Sequence, residues 1–318
     1  MARRKWSWTD LQKARVKEVI KIADDLKSYW PLTIRQIHYQ LFARKIFWGG
    51  RRDSKIYPNT KSGQGDLIKV AKYARIEEML SWDAIEDRTR SLYRPYKFED
   101  IQSYLKNELH YLLSDYKRCL VQDQDVYLEL WIEKDALFKI FKKVAQSYCV
   151  PVIACKGYDS ITYLHHFHDM AEKALSQGRT PTVLYFGDLD PSGVAMLESS
   201  ITTLEDEMGL RDAKFKRIAV NPDQVIKYEL PNDPDAGKSK DTRYEGYIDK
   251  YGYVFVELDA LHPHQLEDMA RNAIEHELDM SSFYDQQEIE EIDLDRIDTI
   301  KQRVVDVFNE ELGTAFSI

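Results

Sequence analysis

Cysteine is scarce: Cys119, Cys149 and Cys155 are the only three in 318 residues, an odd number with no CxxC pair. Such usage fits reduced thiols and a cytoplasmic protein rather than a disulfide framework. No stretch approaches the ~18 consecutive apolar residues of a membrane span. The basic start, residues 1–6, runs straight into further charged residues without an apolar h-region. Neither a signal peptide nor a membrane partner is therefore expected. Internal repeats and low-complexity tracts are also missing. Gly237-Lys238-Ser239 imitates the end of a phosphate-binding loop, but the glycine that loop needs at position 232 is Asn232. No nucleotide cradle, and hence no ATPase activity, is expected. His165, His166 and His168 fall on a predicted helix, where adjacent positions diverge, which argues against zinc. Serine and cysteine nucleophiles lack a credible paired base.

What is present is an ordinary globular balance, 43% hydrophobic and 31% charged, long enough for about two domains. The net charge of −9 hides an asymmetry. Residues 1–95 carry 21 Lys and Arg against 11 Asp and Glu, whereas the rest carries 24 against 43. A basic head on an acidic body suits a nucleic-acid partner, although drift in a solvated surface gives the same imbalance.

Apolar spacing predicts three helices in the head, over 10–30, 33–42 and 66–80, with Thr9 and Thr33 as caps and Pro31 as a stop. Gly-containing basic connections join the last two, a pattern compatible with a helix-turn-helix or winged-helix module. Residues 96–124 read as a polar helical connector, with Phe98, Ile101, Leu105, Leu109 and Leu112 on one stripe. The period then changes. Strands are predicted over 126–132, 150–154, 182–186 and 216–220, with helices between them, so an α/β fold with a mainly parallel, doubly wound sheet is expected. In such sheets chemistry sits beyond the carboxyl ends of the strands, where Glu133, Gly157, Asp188 and Asp190 fall. The last 48 residues hold 4 basic and 13 acidic side chains and read as a solvated helix.

Asp188 and Asp190, two residues apart beyond one strand, splay around a point that Glu133 can reach from a neighbouring strand end. Mg²⁺ or Mn²⁺ suits such a set, because a hard cation takes a few carboxylates and keeps its waters. The plainer alternative is that the two aspartates cap the helix beginning Pro191-Ser192-Gly193 and bind nothing. Arg35 and Tyr39 are i,i+4 neighbours lying off the apolar face made by Ile34, Ile37, Leu41 and Phe42. Tyr39 is thus not expected in the core, and a guanidinium beside it would favour phenolate.

Taken in order, 132–138 (Ile-Glu-Lys-Asp-Ala-Leu-Phe), Lys156-Gly157-Tyr158 and 187–193 (Gly-Asp-Leu-Asp-Pro-Ser-Gly) resemble the Toprim domain. Among Toprim proteins the resemblance is to the A subunit of topoisomerase VI and the meiotic double-strand-break protein. It covers roughly residues 126–200, and Ser192 stands where other Toprim enzymes carry a third aspartate. Arg35-Gln36-Ile37-His38-Tyr39 matches that group's Arg-x-x-x-Tyr, with His38 in place of a first tyrosine. The segment 257–261 (Glu-Leu-Asp-Ala-Leu) also resembles a downstream segment of relatives, of no evident role.

The resemblance implies a winged-helix domain over 1–95, the connector 96–124, a Toprim, Rossmann-like domain over 125–270, and an acidic helical segment 271–318. It implies DNA cleavage by Tyr39 transesterification, with Arg35 orienting the phosphate and Glu133, Asp188 and Asp190 as Mg²⁺ ligands. Glu133 alternatively serves as general acid or base. It further implies double-stranded DNA as substrate, a homodimer in which one subunit's tyrosine meets the other's metal site, and a separate ATPase subunit. Arg44, Lys45, Arg51, Arg52, Arg75, Arg88, Arg90 and Lys156 are the candidate phosphate contacts. A hydrolytic nuclease using water, and a non-catalytic DNA-binding protein, remain as alternatives.

Overall fold

The computed structural model describes residues 7–49, 56–86, 95–155, 160–232 and 243–312. Among these lie eleven α-helices and four strands. Two compact units form, one from 1–88 with 126–276, the other from 89–125 with 277–318.

The first unit begins with α1 (Asp10–Asp25), α2 (Ile34–Ala43) and α3 (Lys61–Ile76). Thr9 with Gln12, and Thr33 with Gln36, form reciprocal capping boxes that satisfy otherwise orphaned donors at both helix starts. The first helix stops five residues short of expectation; a 3₁₀ turn, Lys27–Tyr29, leads into Pro31. The third begins earlier than expected, because Thr60 caps it through the Gly63 amide. Val16, Val19, Ile22, Leu26, Ile37, Leu41, Leu67 and Ala71 interlock into one buried cluster, each large side chain contributing roughly 1.5–3 kcal/mol. An isolated antiparallel bridge pairs Phe47 with Ile56.

The sheet is all-parallel in the order β2-β1-β3-β4, with β1 Val126–Ile132, β2 Val152–Ala154, β3 Thr180–Phe186 and β4 Lys214–Ala219. β1 and β3 are buried along nearly their whole length, as strands covered by helices on both faces must be. One face carries Trp131, Val183 and Tyr185 against Leu164 and Phe167 of α6 (Ile161–Ser176) and Met196 and Leu197 of α7 (Pro191–Thr202). On the other face Phe141 of α5 (Phe138–Gln146) meets Phe186, ring centroids 4.6 Å apart. The chain leaves β1 toward β2 and returns across β1 to β3, so the strand order reverses between β1 and β3. In open parallel sheets the place where ligands are bound is such a reversal, just outside the carboxyl ends of the two strands.

Three further helices belong to this unit: α8 (Pro222–Lys227), α9 (Tyr244–Tyr251) and α10 (Pro263–Glu277). The other unit holds α4 (Ile101–Tyr111) and the 33-residue α11 (Met280–Leu312). Arg118 reaches Asp293 (3.2 Å), Glu290 and Gln286, and the Tyr116 hydroxyl donates to Asp293 at 2.6 Å. Of the expected apolar stripe on α4, Leu109 is buried but Ile101 is exposed. No helix among the described residues is long and apolar enough to cross a membrane.

Candidate active site at the strand ends

The residues at the strand ends follow directly from strand geometry. Ile132 of β1 is in register with Phe186 of β3, so the next residues of each strand, Glu133 and Gly187-Asp188, emerge side by side. The Glu133 amide continues the ladder to the Phe186 carbonyl (2.9 Å), and its carboxylate Oε2 accepts the Asp188 amide at 2.7 Å. Asp190 caps α7, its Oδ1 accepting the Gly193 amide at 2.6 Å, with Pro191 in the first turn. A Cβ on Gly193 would stand 2.5 Å from the Asp188 carbonyl oxygen and 2.8 Å from Glu133 Oε2. Only glycine permits that approach. Arg217 of β4 donates to the carbonyls of Gly187 (3.1 Å), Val220 (3.2 Å) and Asp188, fixing the turn that presents the acid.

A second layer closes over the acids from far along the chain. Leu189 and Val256 form an antiparallel bridge, which leads 257–261 across the strand ends. The Leu258 amide donates to Asp188 Oδ1 at 2.7 Å. Lys134 places its ammonium 3.0 Å from that same oxygen, 2.6 Å from Glu257 and 3.8 Å from Asp259. Arg35, from α2, bonds Glu257 and lies 3.1 Å from Asp259 through Nε. Tyr39 lies beside this group, with the Arg35 guanidinium 5.8 Å from its ring centre and the charge of Glu257 acting on its phenol. Residues separated by more than 200 positions thus share one cluster of charge.

Tyr39 corrects an expectation. Off the apolar face of its helix it was expected to be accessible, yet it is only 6% exposed. The reason is that α2 has two covers: the neighbouring helices on one side, and the turn Leu258–Ala260 on the other. His38 is buried as well, bonded to the Tyr57 hydroxyl (2.6 Å) and to Asn59 (2.9 Å).

Burial and like charge raise the proton affinity of the strand-end acids. Asp188 is pushed up to about 8, first by burial and then by Glu133, with Lys134 opposing. Glu133 is also raised, by burial and by the nearby charge of Asp190, against the Asp188 amide, Lys134 and Arg217. Glu257 goes the other way. Burial works to raise it, but Lys134 and Arg35 outweigh that and hold it at about 2. The Tyr39 phenol is raised by burial and by Glu257. Groups perturbed in this way are where function is sought first.

Each strand-end acid has one oxygen fixed by a backbone amide: Glu133 Oε2, Asp188 Oδ1 and Asp190 Oδ1. The three acids do not draw ligand atoms within 4.8 Å of one another, so they form no closed three-ligand cage. A magnesium ion takes one or two carboxylates and keeps its waters, so a closed cage is not a requirement for it. Among the described residues the trio that does gather is His165, His168 and Asp169 on α6. Spacings of three and four bring them onto one helix face, where adjacency alone suggested divergence. Both histidines there contact Asp169, at 3.2 and 3.5 Å.

The expected DNA contacts are scattered. Arg44 closes α2 and pairs with Asp25. Lys45 follows it in the left-handed region, φ 50°. Arg75 is partly buried, donating to the Ile85 carbonyl at 3.2 Å with its guanidinium 5.2 Å from the Trp82 ring centre. Arg51, Arg52, Arg88, Arg90, Lys156 and Gly157 lie outside the described residues. Sequence reasoning gave no role to Lys134, Glu257, Asp259 or Arg217. The usable signal was the charge of Lys134 directly after Glu133, and the pair Glu257 and Asp259 two residues apart.

No family model, curated protein or solved structure matches the chain.

Proposed function

We propose that the chain cleaves double-stranded DNA with a divalent cation, by transesterification through Tyr39. The observation that carries this reading is the meeting of Arg35 and Tyr39 with Glu133, Lys134 and Asp188 around Glu257, at the reversal of a parallel sheet. It agrees with the winged-helix and Toprim resemblance read from the motifs. Arg35 and Lys134 neutralise the scissile phosphate. Tyr39 Oη forms a bond to phosphorus, its proton passes to a carboxylate of the cluster, and the phosphorus–oxygen bond to the sugar breaks. The departing sugar oxygen takes up a proton from water. A magnesium or manganese ion on Glu133 and an aspartate would supply charge stabilisation at the phosphate oxygens. The homodimer and the ATPase subunit belong to the resemblance alone; the residues of this cluster all come from a single chain.

Hydrolysis by water is the second reading. It is favoured by the burial of Tyr39, which with the charge of Glu257 holds the phenol protonated. The deciding experiment incubates plasmid with the protein and Mg²⁺ or Mn²⁺, with and without proteinase before electrophoresis. Breaks seen only after proteolysis, and lost in Tyr39→Phe, support transesterification. Breaks that need no proteolysis and persist in Tyr39→Phe support hydrolysis. DNA binding without cleavage under any ion leaves a binding protein.

A further inference from the structure

Glu257 has an unusual set of partners for a carboxylate in the body of a protein. Its Oε2 receives both the Arg35 guanidinium and the Lys134 ammonium. Two cations converging on one anionic oxygen are a donor set that proteins use for phosphate. Glu257 and Asp259 do not hold this set equally. The Asp259 side chain has no exposure, and it anchors Arg35 through Nε at 3.1 Å. Glu257 retains 26% exposure and lies on the open side. One acid is therefore fixed and the other is within reach of solvent.

We propose that Arg35 and Lys134 form an oxyanion site for a DNA phosphodiester beside Tyr39, and that Glu257 is its internal occupant, displaced by the incoming phosphate. The inference rests on the reading of the cluster as a phosphodiester site and adds what fills it beforehand. Glu257 occupies the place of a phosphate oxygen and keeps two cations from being left unpaired. Its low proton affinity, held at about 2, reflects how strongly the site prefers an anion. Removing the carboxylate leaves Arg35 beside Asp259 and Lys134 beside Asp188, so neither cation loses every acidic neighbour. DNA then no longer competes with an internal anion.

The test measures binding without any divalent ion, which separates it from cleavage. A short fluorescent DNA oligonucleotide is titrated by anisotropy against wild type, Glu257→Ala, Glu257→Gln and the double variant Glu257→Ala with Arg35→Ala. Asp212→Asn, which removes an exposed acid elsewhere, serves as the charge-matched control. Glu257→Ala is expected to bind at least 10-fold tighter than wild type, with inorganic phosphate as competitor. The control is expected to stay within 2-fold, and the double variant to lose the gain. Should Glu257→Ala fail to fold, Glu257→Gln keeps the shape and must still gain affinity. Equal affinity in wild type and the glutamine variant, or a gain matched by Asp212→Asn, overturns the inference. Tighter binding here with no cleavage in the plasmid assay with Mg²⁺ or Mn²⁺ refutes the cleavage reading alone, whereas cleavage in that assay without tighter binding here refutes this inference alone.

Discussion

Glu129, buried within β1, and Glu133, half-buried just beyond its end, stand four residues apart under opposite conditions. Glu129, in the body of the sheet, accepts from Tyr127 (2.5 Å), Trp131 (2.9 Å) and Tyr163 (3.0 Å), three neutral donors on one face. Glu133, at the strand end, has one backbone amide and is surrounded by Asp188, Asp190, Lys134 and Arg217. The first arrangement satisfies a charge and asks nothing more of it. The second crowds like charges together and balances them with cations from distant segments. Crowding of that kind costs stability and is tolerated where chemistry is done.

The sharpest way to break this comparison is to remove each acid in turn. Glu133→Ala is expected to lower metal-dependent plasmid cleavage on the order of 100-fold or more, while the urea midpoint stays close to that of wild type. A variant that cuts normally would place the chemistry elsewhere. Glu129→Ala should do the reverse at the level of stability. It strands three buried donors and should cost about 3 kcal/mol in urea unfolding; a loss under 1 kcal/mol would mean that the sheet face does not depend on the carboxylate.

How far the sequence carried these assignments depends on the range of the forces involved. The strand ends were readable because parallel strands are continuous apolar runs, and a strand that stops at a charge announces its edge. Glu133 and Asp188 therefore fell where expected, on neighbouring strands. Capping by Thr9 and Thr33 is likewise local and was readable. Tyr39 was misjudged because helix periodicity identifies one apolar face and is blind to a second cover arriving from 257–261. The pairing of Lys134 with Glu257 and Asp259 is tertiary in the same sense. No spacing rule ties positions 134 and 257 together, and only the Leu189–Val256 bridge delivers the latter to the strand ends.

pH sharpens the contrast between acids in the cluster. Glu257 has its folded affinity held at about 2, below the ordinary 4.5. Its contribution is therefore present above about pH 4.5 and lost as pH falls toward 2, up to about 3 kcal/mol. Thermal melts of wild type should fall through that window, and Glu257→Gln should show a shallower fall. Parallel curves for the two proteins would contradict the ion-pair account. Asp188 is displaced in the other direction, to about 8. It contributes fully below about pH 4, and that contribution is lost as pH rises through 8. Asp188→Asn, which never has to ionise, should gain stability relative to wild type as pH rises from about 4 to 8. A stability difference independent of pH would remove Asp188 from the list of strained acids.

The account meets its most direct test in the protein recovered after reaction with DNA and Mg²⁺. Nuclease digestion followed by trypsin and mass spectrometry examines the peptide spanning Gln36 to Arg44. That peptide is predicted to carry a nucleotide phosphate on Tyr39 and to lose it in Glu133→Ala. Cut DNA accompanied by an unmodified Tyr39 peptide would contradict transesterification at this site.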